Sequence, residues 1–412
     1  MKPSRRETLK AVAATAGTGF AGCLGSLTGT EQECDTESRE VVRETDPRGT
    51  FPTYRADAGR SGYVSGTASD RPGELLWRVK TGSPPNEPRV PVVGDGRVYV
   101  CAGALYALDQ RDGSLAWCAE GESSTPTGPT ITSGSVVLTE WYRGGLFSYE
   151  AASGSHEWRF RGHDTETPPT VHGDTAYLTA DPENQQVAAV DLSSRSVRWR
   201  TPVEPTASVP PPLSVTDAGV FVQQGGRLRA LDTGDGSELW HTAAGTDVIP
   251  AVSDGVVYSR RDSNRLAAWN VADGSVRWTA DVLDDPSEVR TVCAAGDGVY
   301  ASTPDQVLAL DADDGALRWR RHRRGIMTAL GRLEGHEKHA LQECLVTDDR
   351  VYLGFSGGLA ALDRTDGRVL WDVAFPGGNH GDAVYPGRPG GLAVAGGAVY
   401  ALTPGTVYAV GA

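Results

Sequence analysis

Lysine is nearly absent from this 412-residue chain. Lys2, Lys10, Lys80 and Lys338 are the only four among 39 basic residues, against 53 acidic ones. The formal net charge of −14 excludes a protein that grips nucleic acid through a global positive field. An acidic, arginine-rich surface suits high salt and points to a halophilic archaeon, although a GC-rich genome gives the same arginine bias. Long apolar runs are also missing. The weakly apolar "AVAATAGTGFAG" (Ala11 to Gly22) is too short to cross a bilayer as a mature helix. Helical periodicity scarcely occurs after it, which argues against a helical solenoid.

The N-terminus reads as an address. "SRRETLK" sets Arg5 and Arg6 ahead of the apolar run and resembles a twin-arginine export signal, with Thr8 in the first apolar slot of that pattern. "FAGC" (Phe20 to Cys23) resembles a lipobox, with Phe20 where leucine is commoner. The resemblance implies cleavage after residue 22 and a lipid on Cys23, holding an exported protein on the outer face of the cytoplasmic membrane. Residues 23–50 are polar and acidic, too poor in core formers to offset ordering entropy, and are expected to be a flexible tether.

What is abundant is a repeat. "LYALDQRDGSLAW" (105–117) recurs at 146–158, 187–199, 228–240, 266–278, 307–319 and 359–371, closing on Trp117, Trp158, Trp199, Trp240, Trp278, Trp319 and Trp371. Five of the six intervals are near 40 residues, the size of a propeller blade. Within one unit, Pro91–Val93, Arg97–Val100, Leu105–Asp109 and Ser114–Trp117 read as four strands separated by Gly and Asp clusters. Gly113 supplies the positive φ of the last turn, Asp109 bonds its amides, and Trp117 packs between blades. In the third copy Ser194-Arg195 replaces Asp-Gly, so that turn is expected to be strained or of another type.

The C-terminal segment from Gly390 supplies three strands and stops without a tryptophan. "GELLWRVK" (Gly73 to Lys80) is an orphan strand whose Trp77 stands one period before Trp117. Joining the two predicts an all-β, eight-bladed propeller over residues 51–412, its last blade completed by the N-terminal strand, which leaves no open sheet edge in the ring.

The repeat resembles the tryptophan-docking motif of the PQQ-type, quinoprotein-like eight-bladed propellers, carried by Ala107, Asp109, Asp112, Gly113 and Trp117. "FPTYRADAGRSGY" (Phe51 to Tyr63) resembles the segment that precedes the first blade in that family, with Phe51 and Arg60 departing from the commoner residues. The family includes quinoprotein dehydrogenases, BamB-like assembly lipoproteins and sensor domains. The dehydrogenases hold pyrroloquinoline quinone between a tryptophan and a disulfide of adjacent cysteines, with calcium and a catalytic Asp on long insertions. Here the cysteines are Cys23, Cys34, Cys101, Cys118, Cys293 and Cys344, none adjacent, and the blades are minimal. The resemblance therefore implies a non-catalytic BamB-like lipoprotein without cofactor or metal. A PQQ-dependent dehydrogenase and an extracellular ligand sensor are the alternatives.

In this architecture the strand 4-to-1 and 2-to-3 loops share one face, opposite the Asp-Gly turns. Two enlarged loops there, 321–343 and 372–390, hold His322, His336, His339 and His380 with Glu337 and Asp382. Trp141, Tyr142 and Arg143 lie on one 2-to-3 loop and Arg260 with Arg261 on another. Aromatic and arginine side chains at such a mouth suit a protein partner. The expected binding face is Trp141, Tyr142, Arg143, Arg260, Arg261, His336, His339, His380 and Asp382, on a monomer. Whether Cys101 pairs with Cys118, or Cys293 with Cys344 on the innermost strands of adjacent blades, stays open.

Overall fold

Each copy of the repeat folds as the antiparallel hairpins its turns dictate. The computed structural model describes residues 36–44, 49–66, 72–81, 90–120, 127–140, 145–163, 165, 167–179, 185–204, 211–245, 248–281, 289–329, 341–355, 358–375, 391–403 and 405–412. Eight separate sheets account for the strands. The first blade comprises Val92–Gly94, Arg97–Cys101, Leu105–Asp109 and Leu115–Ala119, joined in sequence order. Blades two to seven repeat that order, with innermost strands Thr130–Ile131, Thr170–His172, Ser214–Thr216, Ala251–Ser253, Thr291–Ala295 and Leu341–Thr347. In each of these seven blades the register slips by one residue between the third and fourth strands, as at Ala107/Leu108. Such a bulge adds twist to the outer hairpin.

The eighth blade is built from both ends of the chain. Leu392–Ala395, Ala398–Thr403 and Thr406–Gly411 pair in order, and Leu75–Thr81 then pairs antiparallel with the last of them. The turn between its third and fourth strands is split across the seam. The Gly73 amide donates to the Gly411 carbonyl at 2.9 Å, as the Gly113 amide does to Asp109 inside blade one. Gly73 keeps the left-handed φ of 76° found at Gly113 (70°). Two chain ends thus rebuild a turn that elsewhere is continuous.

Within the stretch read as tether, Thr36–Val41 forms a fifth strand on the outer edge of this blade, antiparallel to Leu75–Thr81. Thr36 is half-buried and Ser38 to Val41 are exposed. Backbone pairing holds it, with Arg78 to Glu40 at 2.7 Å and Arg39 to Asp112 of blade one. The single helix among the described residues is Arg323–Ala329, too short to leave a periodicity. No helix among the described residues is long and apolar enough to cross a membrane.

The tryptophans weld one blade to the next. Trp117 lies on the turn glycine of blade two, Gly154, and its indole N–H donates to the Ala151 carbonyl at 3.0 Å. Trp77, Trp199, Trp240, Trp278 and Trp319 do the same on Gly113, Gly236, Gly274, Gly315 and Gly367, where an added Cβ would fall within 2.6 Å of the ring. Trp371 reaches across the seam to Gly73. Each of these seven rings also tilts onto a second-strand aromatic of its own blade, such as Tyr99, Phe221 or Tyr352. Blade three is the exception in sequence but not in turn geometry. Arg195 adopts φ 58°, donates its amide to Asp191 at 2.8 Å, and lays its guanidinium 5.8 Å from the Trp158 ring. The turn type is kept, the left-handed arginine carries the strain, and a cation–π contact replaces the glycine packing.

Candidate functional site

The segment "FPTYRADAGRSGY", which has no repeat of its own, winds around the inside of the ring. Gly49 abuts Gly396 of blade eight. Phe51 exchanges two backbone hydrogen bonds with Val93 of blade one, and the Pro52 carbonyl accepts from Ile131 of blade two at 2.7 Å. Ala58, Gly59, Ser61 and Gly62 then accept from Val215, Val252, Ala294 and Val346 of blades four to seven. Tyr63–Val64 ends the circuit as a short parallel strand on blade seven. Blade three is reached by a side chain, since Arg60 donates from Nη2 to Thr170 Oγ1 at 2.6 Å.

These contacts fall near the ends of the innermost strands, where each turns into its second strand. The Asp-Gly turns lie at that end too, as the Gln110 amide bonding the Gly96 carbonyl shows. The segment therefore plugs the ring on the face of the Asp-Gly turns. The strand 4-to-1 and 2-to-3 connections are at the other end.

Two arginines anchor the plug. Arg60 is fully buried and donates to Thr53 Oγ1 (3.0 Å), the Leu213 carbonyl (3.2 Å) and the Tyr54 carbonyl. Burial lowers its guanidinium to about 10, still protonated at neutral pH. Arg55, equally buried, points from φ 58° toward blades five to seven. It donates to the Ile249 carbonyl (3.4 Å) and lies 3.6 Å from Cys293 Sγ. Burial pushes the nearby Glu343 carboxyl up to about 8, while its Oε2 accepts the Leu392 amide of blade eight at 3.1 Å.

The residues expected at the mouth divide in two groups. Trp141, Tyr142, Arg143, His336, Glu337, His339, His380 and Asp382 lie outside the described residues, as do Arg5, Arg6 and Cys23. Arg260 ends the second strand of blade five and Arg261 follows it; the Arg260 carbonyl accepts from the Gly245 amide (3.0 Å) and Gln223 Nε2 (3.1 Å) of blade four. Arg260 thus serves an interblade contact as well as the face. The loop expected over 321–343 is shorter than its sequence suggests. Arg321 and His322 end a strand, and Leu341 to Glu343 begin the innermost strand of blade seven.

Of the cysteines, Cys118 is in a disulfide, whereas Cys101, Cys293 and Cys344 are buried thiols. Neither pair left open by the sequence is bridged. Pyrroloquinoline quinone does not fit what is present. No adjacent cysteine pair exists to form the plate under the quinone. The innermost cysteines are fully buried against the plug.

A profile of the family described as "Outer membrane protein assembly factor BamB" matches residues 60–209, 103–247 and 224–412. The protein of that name from Moranella endobia is 27% identical over 293 residues, 63% of this chain and 73% of its own length. Its counterpart from Yersinia pestis is 31% identical over 169 residues, 38% of this chain but only 42% of that protein. The serine/threonine-protein kinase AfsK of Streptomyces griseus is 29% identical over 185 residues, 41% of this chain and 22% of the kinase. Among solved structures, BamB from Moraxella catarrhalis superposes with a TM-score of 0.63 at 16% identity, covering 82% of this chain and all of that one. The quinohemoprotein alcohol dehydrogenase from Comamonas testosteroni gives 0.65 at 14% identity, covering 88% of this chain and 80% of the other, a likeness of fold alone. With its eight tryptophan-docked blades and a family match running from Arg60 to the last residue, the chain belongs to the family of the outer membrane protein assembly factor BamB.

Proposed function

We propose that this protein is an exported, membrane-anchored, non-catalytic propeller that scaffolds protein assembly, engaging its partner through the face opposite the plug. One observation carries the reading. The plug occupies the ring on the face of the Asp-Gly turns and bonds the innermost strands there, leaving the irregular connections of the other face to make contacts. Arg260 and Arg261 are on that face, and Trp141, Tyr142, Arg143, His336, His339, His380 and Asp382 are assigned to it from their sequence positions. Residues 1–22 serve as the twin-arginine signal through Arg5 and Arg6, residues 23–50 as the link to the membrane, and residues 51–412 as the propeller. The lipid on Cys23 places a monomer on the outer face of the cytoplasmic membrane of a halophilic archaeon.

Affinity capture from native membranes tests the reading. It is expected to recover one stoichiometric protein partner with the wild-type chain and to lose it when Trp141, Tyr142 and Arg143 are replaced together by alanine. Stoichiometric binding of pyrroloquinoline quinone with calcium, accompanied by dye-linked alcohol oxidation, would overturn it.

A further inference from the structure

Three thiols are buried in the described ring, and two of them touch. Cys293 and Cys344 lie on the innermost strands of blades six and seven with their sulfurs 3.5 Å apart. Arg55 Nη2 reaches to 3.6 Å from Cys293 Sγ, and Gly62 of the plug presses so closely that a Cβ there would overlap that sulfur. Thr291 Oγ1 contacts Cys344 Sγ at 3.1 Å. From this juxtaposition we infer that Cys293 and Cys344 are a redox pair, oxidised by a small hydroperoxide to a disulfide that ties blade six to blade seven beneath the plug.

The cluster equips the two sulfurs unequally. Burial alone would raise the Cys293 thiol, but the Cys344 S–H and the Arg55 cation outweigh it and bring it down to about 7. Cys344 is pushed well above the ordinary range, chiefly because its S–H is held by Cys293. The charged groups facing Cys293 are Arg55 and Asp57 from the plug, and the blade-seven strand adds Cys344 and Glu343. As a thiol, Cys293 donates to the Cys344 carbonyl at 3.1 Å; as a thiolate, it accepts from Arg55 and from Cys344 Sγ. Cys293 is thus the nucleophile and Cys344 the resolving thiol.

The chemistry closes without any other reactant. The Cys293 thiolate attacks the terminal oxygen of the hydroperoxide, forming S–O and breaking O–O. With hydrogen peroxide the departing hydroxide takes a solvent proton and leaves as water. Cys344 sulfur then attacks the sulfenic sulfur, forming S–S and breaking S–O, and its own proton leaves with the hydroxyl as a second water. Two thiols lose two electrons and one peroxide gains them. A neutral oxidant of that size suits sulfurs that solvent reaches only when the ring breathes.

The test treats the reduced full-length protein with hydrogen peroxide, blocks remaining thiols in denaturant and maps the unreduced digest by mass spectrometry. A Cys293–Cys344 cross-linked peptide, two hydrogens lighter than the reduced pair, is expected ahead of any change at Cys101. Its rate should rise roughly tenfold from pH 6 to 8 and then level, whereas a thiol near 8.5 would still be climbing at pH 9. In Cys344→Ser, dimedone should trap a sulfenic acid at Cys293. The inference is overturned if the cross-link forms only after the chain is unfolded in urea, if Cys101 is oxidised as fast, or if the rate keeps climbing past pH 9.

Discussion

Replacing Gly113 by alanine tests whether the repeat motif is a docking device or only a turn. Gly113 sits at φ 70°, and a Cβ there would lie 2.6 Å from Trp77 Cε3 and 2.7 Å from Val79 Cγ2. Gly134 supplies the control, because at φ 81° it has the same handedness but nothing within 4 Å of an added Cβ. Alanine at either position pays the left-handed penalty of about 1–2 kcal/mol. At Gly113 the methyl also meets an indole that packing holds in place, adding about 1–3 kcal/mol for overfilling. The total there is therefore about 2–5 kcal/mol, against about 1–2 kcal/mol at Gly134. Urea unfolding of the two variants, followed by tryptophan fluorescence with the m-value checked for constancy, measures the difference. Equal losses in the two variants would refute the docking role of the glycine and leave the motif as a turn alone.

Three further outcomes are expected, two from the geometry of the plug and one from the sequence of the N-terminus. Arg60→Met removes the fork that bonds Thr53, Tyr54, Thr170 and Leu213, and the stranded buried acceptors should cost at least about 3 kcal/mol in urea unfolding; Arg60→Lys, lacking the planar fork, should restore only part of it. Glu343 has a folded-state value of about 8, above its unfolded value, so its contribution is complete at pH 4 and is lost as pH rises toward 8. The urea midpoint should accordingly fall between pH 5 and 9, and Glu343→Gln, which keeps an acceptor for the Leu392 amide, should flatten that slope. Cys23→Ser should move the protein from the membrane to the soluble fraction of expressing cells, and continued sedimentation with membranes would remove the lipid anchor from the proposal.

The blades were legible because their physics is local and recurs. An Asp that bonds turn amides, a left-handed glycine and a tryptophan four residues on leave the same trace at Trp117 and at Trp319. Trp77 counted the eighth blade because it keeps that period across the chain ends. A parallel signal is the aromatic on the second strand of seven of the eight blades, at Tyr99, Tyr177, Phe221, Tyr258, Tyr300, Tyr352 and Tyr400, which blade two lacks. The plug was visible as a motif but not as a plug. Its meaning lies in bonds to residues from Val93 to Val346, and its left-handed residues Arg55, Ala56 and Arg60 lack the glycine that announces such a conformation. Strand Thr36–Val41 is hidden for a related reason, since "TESREV" has no apolar alternation and owes its form to pairing with a neighbouring edge. That Cys293 and Cys344 occupy adjacent innermost strands could be read from the repeat. Their contact could not, because it is set by how two blades approach the axis.

The turn that joins Gly73 to Gly411 also sets a schedule. The strand from Leu75 emerges from the ribosome before any blade exists, and its partner, Thr406–Gly411, emerges after the other seven blades. At ordinary elongation rates that wait is on the order of tens of seconds, during which seven blades can form on local contacts. Throughout that time Trp77 and the outer strand it belongs to have no third strand to lie on. Ring closure is therefore the step at which a nascent chain is exposed to strand exchange with a second copy, and a stalled or truncated chain keeps that exposure for its whole lifetime.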